Sequence, residues 1–294
     1  MIKKVWRDSL PTMIAVMFYS LYGVVDGLFI GKSTGDVGLA AVNIGWPLVA
    51  LIMAIGVGIG SGGSVLISYF RGTGEDRQAR EVYGSTIALL ALSGMLLMLL
   101  WFHYDRILYF LGARGAVYNE AKKYIRVLVM GSVIIVLECG MLPILRNIGM
   151  TMEALGCMMV GVFFNISINY YLMMIVGLGI QGAAFGTVIS QLIVLLLVVL
   201  LIGKNKEFGY YFHLKRSYIV RIIRAGVTPF GIYIAPSITL IFTNLQCLKY
   251  GGDAVVASYA VVSYIVFPVL SILGGVGDGT QPLISYYYGA KKEA

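Results

Sequence analysis

A carboxylate, Asp26, sits inside the apolar stretch YSLYGVVDGLFIGKS that covers residues 19–33. An acid placed in hydrocarbon costs at least about 2.5–3.5 kcal/mol on insertion scales, so such a residue is read first as functional. Its chemistry would be to hold a proton or a metal ion away from bulk water. The plainer alternative is a structural hydrogen bond to a neighbouring helix. Two amides, Asn165 and Asn169, lie four residues apart and share one face if their segment is helical. With Thr187 they supply the neutral oxygens that a bound cation would use.

Residues so far apart in sequence meet only if the elements carrying them bring them to one depth. Of the 294 residues, 59% are hydrophobic and only 12% charged, and the mean hydropathy is +0.86. Apolar runs of this kind predict membrane-spanning helices, at about 10–31, 43–70, 82–101, 123–145, 154–177, 180–203, 218–247 and 255–288. The fold class expected is an all-α polytopic membrane protein with about eight transmembrane helices. The first run is too long and too polar for a cleavable signal peptide, so it is expected to stay in the mature chain.

Lys and Arg favour the cytoplasmic side of a membrane. With the N-terminus inside, 15 of them fall in cytoplasmic segments and 7 outside, which predicts a multi-pass protein of the cell membrane with a cytoplasmic N-terminus. The segment 102–122 runs against this rule and is read as lying on the membrane surface. The net charge of +8 is then a topology signal. It points to the lipid bilayer as partner and not to nucleic acid. In this orientation Asp26 lies about 7 Å, Asn169 about 12 Å and Thr187 about 10 Å from the outer ends of their spans at 1.5 Å per residue, so they can form one site.

The chain also repeats itself. A shift of 217 residues lays GDVGLAAV on GDAVVASY and GIGSGGSVLISYFRG on GVGDGTQPLISYYYG, with 13 identities in 38 ungapped positions between Gly35 and Gly72. The expected organisation is a six-helix first lobe over 1–203, a basic cytoplasmic connector over 204–217, and the first two helices of a second lobe over 218–294. Six spans bring the second lobe in from the same side, so the repeat is parallel, the architecture of secondary transporters. Asp26 falls opposite Thr243, so the second half offers no equivalent acid. On this logic four spans are missing, which a further chain or segment would supply.

VDGLFIG in the first span, GLAAV before the second, ILRNIG after the fourth, GAAFGTVISQ in the sixth and GDGTQPLISYYYGAK at the end resemble the multidrug and toxic compound extrusion family. The resemblance covers essentially the whole chain. It implies twelve helices in two six-helix lobes around a cleft, exporting small organic cations in exchange for protons or sodium, with no cofactor beyond that ion gradient. It further implies a cation site pairing the first-span Asp with an Asn and an Asp one turn apart in the fifth span and a Thr in the sixth. Asp26, Asn165 and Thr187 match, whereas Asn169 stands where the second acid is expected. A single carboxylate suits proton coupling better than tight sodium binding, although sodium at Asp26 stays open.

Other residues are weighed beside these. Glu138 and Asp278 lie toward the cytoplasmic ends of their spans, as parts of a cation path or inner gate or as structural salt bridges, with Arg146 near that mouth. Tyr19, Tyr22, Tyr170 and Tyr171 could contact a cationic substrate, or simply pack or face lipid. Prolines such as Pro47 and Pro143 can kink spans, and Gly23, Gly27 and the alternating glycines from Gly56 to Gly62 permit close helix contact. Cys139, Cys157 and Cys247 show no metal-ligand spacing. DGLFIGKS fails as a phosphate loop because Asp26 occupies the first Gly position. Ser61 lacks a base, since His103 and His213 fall in loops on opposite sides of the membrane. No enzyme is expected. Two alternatives remain: a flippase for lipid-linked precursors or polysaccharides, which would want a basic cleft, and a non-transporting truncated fragment or interaction partner.

Overall fold

The structure, a computed structural model, describes residues 2–204, 208 and 215–290, with side chains except at 2–9, 19–22 and most of 244–272. Among them there are eight α-helices and no strand: α1 (Ile2–Thr73), α2 (Asp76–Met98), α3 (Tyr104–Phe110), α4 (Gly115–Met130), α5 (Ser132–Asn147), α6 (Thr151–Tyr170), α7 (Ile180–Lys204) and α8 (Arg216–Gly289). A single turn of wider helix, Tyr171–Ile175, continues α6. The connector 204–217 falls largely outside the described residues.

The first two expected spans are joined without a loop. Leu10–Thr73 would be about 96 Å long if straight, three times the thickness of the hydrocarbon core. The chain breaks instead at Gly35, with φ 67° and ψ −157°, a conformation open to glycine alone. Likewise α4 and α5 are one span bent by 61° at Gly131. The sequence reading looked to prolines for bends, but these two breaks stand at glycines.

α8 must also double back. Gly58 approaches Gly226 and Gly72 approaches Gly289. The first members of these pairs lie about 21 Å apart along α1, whereas the second members would be about 94 Å apart on a straight helix. Five helical stretches are long and apolar enough to cross a membrane: Leu10–Thr73, Asp76–Phe102, Thr151–Ile175, Ile180–Lys204 and Arg216–Thr243. The bent α4–α5 pair makes a sixth. Counting both arms of α1, and the return arm of α8, the architecture is the all-helical, eight-span one expected.

The two repeats touch reciprocally. Gly58 lies against Phe230, and Gly275 lies against Met13; Gly72 lies against Tyr286, and Gly289 lies against Tyr69. Each contact maps onto its partner under the same 217-residue shift, as a pseudo-twofold relation between like elements requires. The glycines expected to permit close contact divide by face. Gly56 and Gly60 bring α1 against Val136 and Gly140 of α5, while Gly58 and Gly62 bring it against α8. Gly23 meets nothing within 4 Å, so it has no such role.

Inside the bundle Ile52, Ile125, Leu128, Ile135, Ile144 and Leu145 are fully buried. Leu96, Phe163, Leu196 and Leu200 point outward and are exposed. Such a surface would drive aggregation in water and is the ordinary lipid-facing surface of a membrane bundle. The segment 102–122 contains α3 and the start of α4, and it exposes Phe102, Tyr109 and Phe110, as a surface-lying segment would. Below, the membrane face bearing Gly35 and α3 is called the Gly35 end, and the face bearing Gly74 and Gly149 the Gly74 end.

Candidate functional site

Asn169 lies at the last turn of α6, and packing holds its side chain fixed. A Cβ added to Gly186 of α7 would collide with Asn169 Oδ1, so only glycine lets α7 come this close. Asn169 Nδ2 donates to Asp26 Oδ1 across α1 and α6, and also to Asn165 Oδ1 at 2.9 Å. Asn165 Nδ2 donates to Ser190 Oγ at 3.3 Å, and Ser190 Oγ donates to the Thr187 carbonyl at 2.9 Å. Asp26, Asn169, Asn165 and Ser190 thus form a continuous hydrogen-bonded chain through three helices. Asn165, Asn169 and Ser190 are buried, whereas Asp26 is only partly so.

Three of the four residues singled out in the sequence, Asp26, Asn165 and Asn169, come together. Thr187 enters through its backbone: among the described residues its hydroxyl makes no hydrogen bond, and Ser190 provides the side chain on α7. Ser190 follows Thr187 by three residues on the same helix face, a signal that was present but unread. Tyr124 of α4 was also missed. It is buried within electrostatic range of Asp26 and close to Gly45 of α1. Only packing could reveal it, because Tyr124 lies near the start of its span in sequence.

Within this hydrogen-bonded series one buried atom is unsatisfied among the described residues. Asn169 Oδ1 is buried without a hydrogen-bond partner among the described residues, because both neighbouring polar groups take the amide hydrogens. A buried acceptor left so costs about 1–3 kcal/mol, and such exceptions call for an explanation. No Lys or Arg forms an ion pair with Asp26 among the described residues.

Of the tyrosines proposed as substrate contacts, Tyr170 is exposed and packs at 6.1 Å from Phe29, and Tyr171 is exposed beside it. The side chains of Tyr19 and Tyr22 lie outside the described residues, as does that of Cys247. Among the tyrosines whose side chains are described, Tyr124 lies within electrostatic range of the acid.

At the Gly74 end a second polar cluster joins the two repeats. Asn147 Nδ2 donates to Gln281 Oε1 at 3.0 Å, and Gln281 Nε2 donates back to Asn147 Oδ1 at 3.2 Å. Ser68 Oγ donates to Asn147 Oδ1 at 2.6 Å, and Gln281 Nε2 also donates to Ser285 Oγ at 2.9 Å. Ser68 and Ser285 are repeat mates under the 217-residue shift. Asp278 is largely exposed and lies 3.9 Å from Arg146. Glu138 is buried on α5 beside Cys139 and within electrostatic range of Tyr233 of α8. Among the described residues no three or more acids, histidines and cysteines cluster at metal-binding distance.

Comparison with known proteins agrees with this architecture. The MatE family model matches residues 11–171. The multidrug export protein MepA of Staphylococcus saprophyticus is 27% identical over 296 residues, covering 99% of this chain and 65% of the relative. MepA of Staphylococcus aureus is 28% identical over 297 residues with the same coverage. An outward-facing structure of a multidrug resistance MATE family transporter superposes with a TM-score of 0.90 at 26% identity, over 98% of this chain and 65% of that one. A transporter of the MOP superfamily from Pyrococcus furiosus, described as having a binding pocket of reverse polarity, superposes at 0.89 and 25% identity with the same coverage. The chain thus spans about two thirds of the length of these relatives, 65% in each of the four. A duplicated helical bundle, an acid held by amides inside it and a family match over more than half of the residues have one explanation: the chain belongs to the MatE family of membrane proteins.

Proposed function

We propose that this helical unit works in a multidrug efflux transporter that exports amphipathic organic cations in exchange for protons, with Asp26 as the coupling acid. The observation that carries the reading is the Asp26–Asn169–Asn165–Ser190 chain. A carboxylate in contact with a neutral amide, and with no cationic partner among the described residues, can take up a proton without breaking an ion pair. The unsatisfied Asn169 Oδ1 supplies an acceptor for a cation or a proton donor that enters the site. Sodium is the alternative ion, but one carboxylate gives it a single formal charge to bind. The fold accommodates pockets of either polarity, as the Pyrococcus furiosus neighbour's description implies. A cationic substrate fits Asp26, beside which no ion-paired cation stands among the described residues, and this disfavours the flippase reading.

The proposal places the N-terminus and the Gly74 end in the cytoplasm, following the Lys and Arg distribution. The Asn147–Gln281 pair, with Arg146 and Asp278, is then an inner gate that must open when the two bundles rock. Glu138, about two and a half helical turns deeper on α5 than Asn147, would lie on the cation path behind it. The remaining third of the relatives' length would supply the helices that complete the second bundle.

Efflux of a fluorescent organic cation tests this, from cells expressing the chain with and without a segment supplying four further helices, beside Asp26→Asn at matched membrane expression. Efflux abolished by Asp26→Asn is the expected result. Efflux that survives the substitution would remove Asp26 from coupling. Absence of efflux from both pairings would leave the non-transporting reading in place.

A further inference from the structure

Two cavities outside the Asp26 site, of about 700 Å³ and 480 Å³, share Arg126 and Gln181 and so form one groove between α4–α5 and α7. The larger is ringed by polar and charged side chains, Thr34, Asn119, Glu120, Lys122 and Lys123 beside Arg126, with Val37 and Ala116 among them. The smaller is apolar, faced by Met130, Ile134, Phe185 and Val188. Gln181, Phe185 and Val188 follow one another at helical spacing, so the groove runs down a single stripe of α7 for about 10 Å. The 61° bend at Gly131 forms its opposite wall, and a Cβ there would collide with Val188. Met130 and Phe185 are exposed, so the groove opens sideways toward lipid.

The charges at its head are unequal in what they already do. Lys122 is paired with Asp105 at 3.0 Å and Lys123 with Glu120 at 2.6 Å. Arg126 makes no ion pair among the described residues, and its guanidinium lies 4.9 Å from the ring centre of Trp101. Trp101 and the exposed Phe102, Tyr109 and Phe110 have the composition of an interfacial aromatic belt, which sets Arg126 at headgroup depth. An uncompensated cation at the head of an apolar, laterally open groove complements a molecule with an anionic head and a hydrocarbon tail.

We propose that this groove binds an anionic phospholipid, with its phosphate against Arg126 and an acyl chain along Met130, Ile134 and Phe185. A lipid there bridges α4 to α7, the helix that carries Gly186 and Ser190 of the polar chain. The site therefore lies outside the coupling residues, and its existence does not depend on them.

Native mass spectrometry of the purified full chain, titrated with phosphatidylglycerol or phosphatidylcholine of identical acyl chains, reads occupancy directly. Phosphatidylglycerol should be retained about fivefold better, the preference expected from one interfacial cation. Arg126→Gln should remove that preference, while Ile134→Trp, which fills the apolar half and keeps every charge, should lower retention of both lipids. Arg106→Gln, an exposed cation on α3 outside the groove, should change nothing. Equal retention of the two lipids by the unaltered chain would overturn the proposal. So would a preference surviving in Arg126→Gln, or displacement of the lipid by glycerol 3-phosphate, which has the anion but no tail. Should Arg126→Gln fail to fold, the lipid comparison on the unaltered chain and Ile134→Trp still decide.

Discussion

Asn169 engages both of its amide hydrogens, and its oxygen has no partner among the described residues, so its identity decides how Asp26 is held. Replacing it by aspartate removes the donor to Asp26 and sets two carboxylates against each other. Like charges at this distance share a site only if a proton or a metal ion intervenes. Under the proposed proton coupling the unaltered chain should respond to pH alone, and Asn169→Asp is expected to make efflux respond to sodium, which transport assayed across a sodium gradient at fixed pH checks. An unchanged ion response would mean that the amide is structural. Gly186→Ala tests the other side of the same residue. The added methyl meets Asn169 Oδ1, and overpacking of this kind costs about 1–3 kcal/mol. A lowered thermal midpoint of the detergent-solubilised protein, together with weakened coupling, is expected.

The helices position these residues through breaks as much as through length. Gly35 turns α1 back so that Asp26 lies on the arm facing α6, while the other arm carries Ser68 to the opposite end of the bundle. A side chain at Gly35 would force an L-residue into a backbone region that costs about 1–3 kcal/mol. Gly35→Ala should therefore reduce the folded yield and thermal midpoint, whereas Gly23→Ala, with nothing within 4 Å, should be tolerated. Equal effects of the two substitutions in a melting experiment would remove Gly35 from this role. The alternating glycines of α1 work differently: they are needed for approach, with Gly60 against the Gly140 backbone on one face and Gly62 against Ile222 on another. Without hydrophobic force between helices in lipid, such close backbone contact is what holds a bundle together.

Across the whole molecule, the two repeats are tied at the Gly74 end by Asn147 and Gln281. Each hydrogen bond contributes about 0.5–1.5 kcal/mol net, so losing two of them moves an equilibrium between closed and open arrangements by about 1–3 kcal/mol, roughly 5- to 150-fold. Gln281→Ala is expected to populate a more open Gly74 end. Spin labels at the exposed Glu75 and Tyr288, with their separation measured by pulsed electron resonance, should show added longer distances in the variant. A distribution unchanged by Gln281→Ala would make the pair incidental to gating.

The apolar runs, the charge bias of their flanks and the 217-residue repeat determined the fold class, because in lipid every backbone group must be satisfied within a helix and few other arrangements survive. The same physics made Asp26 legible, since an acid in hydrocarbon is too costly to be accidental. Asn165 and Asn169 were legible as a pair because helical periodicity alone puts them on one face. Tertiary structure decided the rest. Ser190 displaced the Thr187 hydroxyl because the rotation of α7 about its axis is set by packing of Gly186 against Asn169. Tyr124 joined the site because packing brings α4 against the α1 positions Asp26 and Gly45, far from it in sequence. The Asn147–Gln281 pair and the Arg126 groove are contacts between helices, and no local pattern in either strand of sequence encodes which neighbour a helix face will meet.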